Sequence, residues 1–439
     1  MKGLQLTSCA LSEGMVNHAL YSILFAWFLS ALALRTDAIT DPMDVQALMQ
    51  VKAAINPSSI RIGSCVSTWN FSVDPCDNLF GPEYFSCGIS CELVGEGTGI
   101  QRITSVKLES SGYGGTLAPA IGNLSFLQYL QLGGNAFEGV IPASIGQLHA
   151  LVVLDISGNS FSGSLPDTLQ GLQSLGVLNA NDNSLSGMLP SNMNSLINLI
   201  ECRLQNNMLS GPIPDLSSLE QLRVLDLANN NFSGSVPTRF APSLISASFG
   251  SNSLTGGLTK QNVDAINSVL IVLDLNANQL SGPIDISLFQ HPSLQQINLS
   301  NNSFSMILNG DRPASVNMAQ SQMVAIDLSN NKIEGNLPGL FAEMPKLSSL
   351  SLSNNAFTGQ IHESYALKAL AGMAGLLPLQ RLMLDDNYLI GPLPALFMKL
   401  LPENIMASFV DNCLSTCPPE IFFCQGGDQK PNNICRFYG

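Results

Sequence analysis

One phrase constrains this chain more than anything else in it. Between residues 100 and 396 the pattern Leu-x-x-Leu-x-Leu-x-x-Asn-x-(Leu/Phe)-x-Gly-x-(Ile/Leu/Val)-Pro returns again and again. It stands as Leu127, Leu130, Leu132, Asn135, Phe137, Gly139, Ile141 and Pro142. It stands again 24 residues later as Leu151, Leu154, Ile156, Asn159, Phe161, Gly163, Leu165 and Pro166. The asparagine alone tracks the pattern onward through Asn183, Asn207, Asn230, Asn252, Asn278, Asn302, Asn331, Asn355 and Asn387. A unit this short cannot bury its own leucines, so the chain must stack such units into one elongated body whose ends need special covers.

Each Leu-x-Leu segment alternates between core and solvent, which reads as a short strand with its leucines inward. Stacked strands of this kind make one parallel sheet. The asparagine sits where a tight turn leaves backbone groups without strand partners, and a buried side-chain amide on every coil can satisfy them. The Gly-x-Ile-Pro tail suits a second, edge-like extended segment, where glycine permits tight turning and proline needs no donor. The expected fold is therefore an α/β repeat: a curved, right-handed solenoid of about 12 repeats over residues 100–400 with a concave parallel sheet. Ahead of it, Asp41 and Pro42 open a capped helix with a stripe at Val45, Leu48, Val51 and Ile55. Residues 39–99 and 401–439 are read as cysteine-containing caps, and residues 1–38 as a signal peptide.

Residues 19–34 form an apolar run short for a bilayer span and long enough for the core of a secretion signal cut near Ala38. Positive charge is scarce upstream of it, so an uncleaved membrane anchor is the alternative. No second apolar run follows, and the expectation is a secreted chain without a C-terminal anchor. With Cys9 removed, Cys65, Cys76, Cys87 and Cys91 fall in one cap and Cys413, Cys417, Cys424 and Cys435 in the other. Disulfides fit an oxidising compartment; four cysteines per cap allow three pairings each, and the sequence does not choose among them. Cys202 occupies a leucine slot between Leu199 and Leu204 and reads as a small buried apolar residue. Sequons at Asn70, Asn123, Asn231, Asn298 and Asn301 fit a glycoprotein, and Asn298 falls on the open face of the sheet. The formal charge of -14 disfavours nucleic acid and anionic surfaces, which want a basic footprint.

The phrase with Asn-x-(Leu/Phe)-Ser/Thr-Gly-x-Ile-Pro resembles the plant-specific extracellular leucine-rich-repeat class over about residues 41–412. Asp44-Val45-Gln46-Ala47-Leu48, Trp69 and Pro75-Cys76 resemble that class's N-terminal cap. Such ectodomains occur in receptor kinases, in receptor-like proteins without kinases and in secreted inhibitors such as the polygalacturonase-inhibiting proteins. The resemblance implies a twisted solenoid that recognises peptides or proteins in the cell wall space. The chain departs from the inhibitors in its longer repeats and caps, its acidity, and the missing tryptophan between Cys76 and Cys91.

Signs of catalysis are sparse. His149 and His291 fall in segments leading into strands and are expected on the surface. His362-Glu363 lacks the second histidine of a zinc-protease helix, because position 366 is alanine. The glycines near 95–99 and 112–115 lack the strand-then-helix context of a phosphate loop. No enzyme, cofactor or metal is expected. The outward positions of the concave sheet remain as the functional surface. A site wants aromatic, arginine and convergent polar groups, which the first half supplies at Tyr129, Gln131, Asp155, Asn179, Asn181, Glu201, Arg203, Gln205 and Asp226. The second half, rich in Ser246, Ser248, Ser349 and Ser351, reads as plain solvated surface. Insertions at 306–322, around Asp311, Arg312 and Pro313, and at 360–378 lengthen two coils, the second as a short convex helix.

The sequence thus points to a secreted plant recognition protein for a peptide or protein ligand, in signalling or defence, with a receptor kinase as a candidate co-receptor. The alternatives are an inhibitor of a microbial wall hydrolase such as a polygalacturonase, a membrane-anchored receptor-like protein, or a wall scaffold without a discrete ligand.

Overall fold

Short parallel strands, one per coil, run the length of the molecule because every coil repeats the same in-out pattern. The computed structural model describes residues 39–76, 87–95, 99–258, 260–308, 320–370 and 376–437. The expected signal peptide, the insertion around Asp311 to Pro313 and residues 371–375 lie outside them. Among the described residues the main sheet has 15 strands, of which Ile89–Leu93 pairs antiparallel, with a bulge, against Ile100–Lys107. The parallel register beyond it is unbroken: Tyr129 aligns with Val153, Val177, Glu201 and Val224, and onward through Ser246, Val272, Gln296, Ala325, Ser349, Arg381 and Met406. Between the outward rows, Leu130, Leu154, Leu178, Cys202, Leu225 and Leu273 are almost fully buried in one continuous core. Burying each such side chain contributes about 1.5–3 kcal/mol.

The Gly-x-Ile-Pro segments were expected as edge-like. The extended segment instead begins earlier, around the Leu/Phe of the phrase, as in Ala136–Val140 and Ser184–Met188, and pairs with its neighbours into a sheet of 11 strands among the described residues, because the stacking that aligns the first strands aligns these as well. The glycine of the phrase is required there: Gly163 and Gly187 sit at φ 75° and 78°, in the left-handed region that a side chain disfavours. Short helical turns such as Ala143–Gln147 and Asp167–Gly171 then return the chain to the main sheet.

Asparagines lock the coils together. The Asn183 amide Nδ2 is shared among the carbonyls of Ala180 and Asn181 in its own turn and Ile156 of the coil before, at 3.2, 3.0 and 3.0 Å, and its Oδ1 accepts from Phe161 N at 2.9 Å. The same set recurs at Asn207, Asn230, Asn252, Asn278, Asn302, Asn331, Asn355 and Asn387. It reaches one coil beyond the last asparagine of the sequence pattern, where Asn412 Nδ2 donates to Leu384 O at 2.9 Å and its Oδ1 accepts from Leu389 N. The main sheet likewise extends past residue 400, to Met406–Ser408. Leaving any one of these buried backbone groups unpaired would cost about 1–3 kcal/mol.

The residue before each of these asparagines turns left-handed: Asp182, Asn206, Asn229, Ser251, Ala277, Asn301, Asn330, Asn354, Asp386 and Asp411 all have φ between 48° and 58°. Asparagine and aspartate tolerate this conformation, and alanine does so at a cost of about 1–2 kcal/mol. Several of these side chains form an outer ladder, with Asn229 Nδ2 donating to Asn206 Oδ1 and Asn206 Nδ2 to Asp182 Oδ1. Lys430 closes it at the far end, its Nζ 2.8 Å from Asp386 and 3.1 Å from Asp411.

At the near end, the helix Pro42–Ala54 is capped by Asp41, whose Oδ1 accepts from Met43 N at 2.8 Å. Its buried stripe is Asp44, Ala47, Leu48 and Val51 rather than one led by Val45. Asp44 goes inside because Arg102 meets it with two hydrogen bonds of 2.8 and 3.0 Å and Ile103 N adds a third. The caps are closed by Cys65–Cys87, Cys76–Cys91, Cys413–Cys435 and Cys417–Cys424.

His291 corrects the expectation of a surface histidine: it is buried, packed over the coil with its ring near Ser293, and burial pushes its pKa down. His149 is exposed, its Nδ1 paired with Gly171 O. The 360–378 insertion forms the helix Glu363–Ala369, which buries Tyr365 and Lys368. Among the described residues Lys368 forms no ion pair; its Nζ donates to Met344 O and Leu377 O, and burial lowers its pKa to about 8.

Replacing Ala277 with Asn should raise stability by about 1 kcal/mol by relieving the left-handed turn, read as a higher denaturant midpoint; a lower midpoint would contradict the turn assignment. The unfolded chain binds the Lys368 proton more tightly than the folded one, so stability should climb as pH rises from about 8 toward the ordinary lysine value of 10.5. Denaturation at stepped pH checks this, and Lys368→Met should flatten that part of the curve.

Candidate functional site

The sheet face turned away from the core carries two rows of side chains, since the middle residue of each three-residue strand points inward. In the first row stand Tyr129, Val153, Val177, Glu201 and Val224; in the second, Gln131, Asp155, Asn179, Arg203 and Asp226. The structure therefore brings the sequence-selected residues onto consecutive strands, with Asn181 and Gln205 in the turns that follow. Tyr129 is 36% exposed, with Lys107 Nζ 5.1 Å from its ring centre. Arg203 is held by Glu201, at 3.0 and 3.2 Å to the same carboxylate oxygen, and lies between Asn179 and Asp226 in the row. Beside this pair, Asn179 Oδ1 and Gln205 Oε1 are buried acceptors without a hydrogen-bond partner among the described residues. Unpaired buried acceptors are costly, and these two are enclosed by the face rather than presented on it.

The aspartates of the second row have a local duty. Asp155 Oδ1 accepts from Ser157 N and Oγ, Asp226 Oδ1 from Ala228 N, Asp274 Oδ1 from Asn276 N, and Asp327 Oδ1 from Ser329 N and Oγ. Each pins the turn after its strand with one oxygen. Asp274 is well enclosed, and its pKa is raised by burial first and by the neighbouring charges of Asp226 and Asp327, against the Asn276 N–H.

Farther along, the face opens into a groove of about 310 Å³ running from Val272 to Arg381, lined among others by Asp274, Gln296, Asn298, Asp327 and Ser349. This half carries few of the residue types that mark a site, yet small side chains such as Ala325 and Ser349 are what leave room between the strands. Asn70, Asn123, Asn231 and Asn301 are exposed; Asn298 is half-buried in the groove floor, its Oδ1 accepting from Ser300 N and Oγ.

Cys202 fills its leucine slot without a partner sulfur, and burial beside Asp226 pushes its thiol up to about 12. Cys65, Cys87 and Glu109 are close enough to suggest a metal, but the sulfurs are joined and the Glu109 carboxylate already accepts from Cys65 N and Tyr113 Oη. No helix among the described residues is long and apolar enough to cross a membrane.

The family described as a leucine-rich repeat region matches residues 106–371. Among curated proteins, receptor-like protein 7 of Arabidopsis thaliana is 36% identical over 125 residues, 28% of this chain and 11% of the relative. Receptor like protein 24 of the same plant is 31% identical over 210 residues, 42% of this chain and 23% of the relative. Among solved structures, the plant peptide hormone receptor RGFR1 in complex with RGF2 superposes with a TM-score of 0.57 and 28% identity, covering 72% of this chain and 53% of the receptor. The PEPR1–AtPEP1 structure gives 0.58 and 27%, covering 88% and 58%. The chain thus spans less than a quarter of these curated relatives and little more than half of these receptor ectodomains.

Cys202 should stay unreactive to thiol reagents until the chain unfolds, as titration with and without denaturant would show. Cys202→Ala should lower stability by about 1–2 kcal/mol through the cavity it leaves. Rapid labelling of the native protein would contradict the burial.

Proposed function

The chain belongs to the leucine-rich-repeat family, and on that premise we propose that it is a secreted plant recognition protein that binds an extended peptide, or an extended segment of a protein, along its concave sheet. The observation that carries this reading is the register: outward side chains from consecutive strands fall in two straight rows. A peptide strand supplies N–H donors at short intervals, which suits such a face. The likeness to receptor ectodomains solved with RGF2 and with AtPEP1 supports a peptide as the ligand. Binding of this kind needs no catalytic group; affinity comes from a few desolvated anchors, with the rest of the face supplying fit. Tyr129, Arg203 and Gln205 are the anchors in the first half, with Gln131, Asp155, Asn181, Glu201 and Asp226 around them. The setting is the cell wall space, in signalling or defence, with a kinase-bearing receptor as the partner that carries the signal onward. The four cap disulfides fit that oxidising compartment, and exposed sequons such as Asn123 and Asn231 fit glycosylation on the way there.

The test is to immobilise the glycosylated chain, offer it a random peptide pool, and measure saturable capture, with inhibition of a fungal polygalacturonase run alongside. Saturable peptide capture that falls roughly tenfold on Arg203→Glu, with unchanged melting, is the expected result. Stoichiometric loss of hydrolase activity without peptide capture would replace this reading with that of an inhibitor.

A further inference from the structure

Charge remains on the concave face where the fold does not need it. At Asp226, Asp274 and Asp327 one carboxylate oxygen pins the following turn. In the strand between the last two, Asn298 does the same task with a neutral amide, accepting from Ser300 N at 3.1 Å. A carboxylate is thus surplus to the turn. It is also unfavourable, since Asp274 is enclosed and feels both neighbours, and these carboxylates form no ion pair among the described residues. Asp274 and Asp327 both line the groove of about 310 Å³, where Ala325 and Ser349 clear space beside them. Their strands flank that of Asn298, which sets the two carboxylates roughly 10 Å apart across the groove floor.

Resting on the concave-face reading above, we propose that this groove is a cation subsite, taking a lysine or arginine side chain of the peptide ligand between Asp274 and Asp327. The opening admits a long side chain from an extended strand lying over Gln296 and Ala325. Asn298, on the floor between them, brings no competing charge, its Oδ1 being taken up by Ser300 N and Oγ. Arg381 lines the far end, two strands beyond Asp327, and repels a second cation there, which fixes where along the face the basic residue sits. The proposal also requires Asn298 to be free of glycan, because a sugar on that floor residue fills the groove.

The probe is a random peptide pool about ten residues long, enough to run from the strand of Arg203 to that of Arg381 at ~4.8 Å per strand, offered beside an acetylated pool whose lysines are acetylated and whose arginines are replaced by citrulline. The full glycosylated chain should capture the unmodified pool at least roughly tenfold better than the acetylated one, the scale of a close ion pair at an interface. Asp274→Asn with Asp327→Asn keeps an acceptor for each turn, and Ser329→Ala is added because Asp327→Asn alone would make Asn-Leu-Ser, a glycan acceptor in the groove; the turn after Asp226 already carries alanine at that position. This triple variant should erase the preference while leaving the capture of acetylated peptides unchanged and the chain folded. Equal capture of both pools, or a preference that survives in the triple variant, overturns the cation subsite while the peptide-binding reading stands. No capture of either pool is the failure of that broader reading and takes the subsite with it. Mass analysis of the peptide containing Asn298 should show it bare, and a glycan there overturns the subsite as well.

Discussion

The structure depends on a paired device at the turn of every coil: a left-handed residue followed by a buried asparagine. The left-handed residue reverses the chain just after the strand, and the asparagine pairs the backbone groups that the reversal strands. Because its amide reaches both its own turn and the coil before, as Asn183 reaches Ile156 O, the same side chain that closes one coil also sets its register against the next. The leucine core supplies most of the favourable free energy, but it is non-directional. The asparagines are what convert a stack of apolar coils into a straight ladder of strands.

Register is in turn what makes a surface. With each strand fixed against its neighbours, every third-position side chain from Gln131 to Ser351 falls in one line, and every first-position side chain from Tyr129 to Met406 in another. The face then has a texture that follows from side-chain size alone. In the first half, Glu201 and Arg203 fill the space and neutralise each other. In the second, alanine and serine leave a groove, and Asp274 and Asp327 form no ion pair among the described residues. A rigid, regularly spaced face of this kind loses little entropy when an extended ligand lies along it.

Much of this was legible in the sequence because each coil repeats its role: inward leucines, outward rows and ladder asparagines could be placed by counting. What counting missed was non-repetitive. Asn412 was overlooked because the leucine phrase around it is degraded, Asp411-Asn412-Cys413-Leu414 following Phe409 instead of leucine, so the array seemed to stop near residue 400. Asp44 falls outside the apolar stripe that spacing predicts for its helix, and only Arg102, 58 residues away, explains its burial. His291 looked polar and therefore external, yet the coil folds over it. The cap pairings depend on distances that no spacing rule supplies. The groove was invisible for a different reason: it is made by what side chains lack, and serine and alanine carry no signal of the space they leave.

The concave face as recognition surface is best tested by obstructing it without altering the fold. Ser246→Asn makes an acceptor triplet with Ala247 and Ser248 in a strand at the centre of the sheet, its side chain in the outward row. Expressed in plant cells and shown by mass to carry one added glycan, this variant should melt like the wild type and lose saturable peptide capture. Undiminished capture with the glycan in place would show that recognition happens on another face.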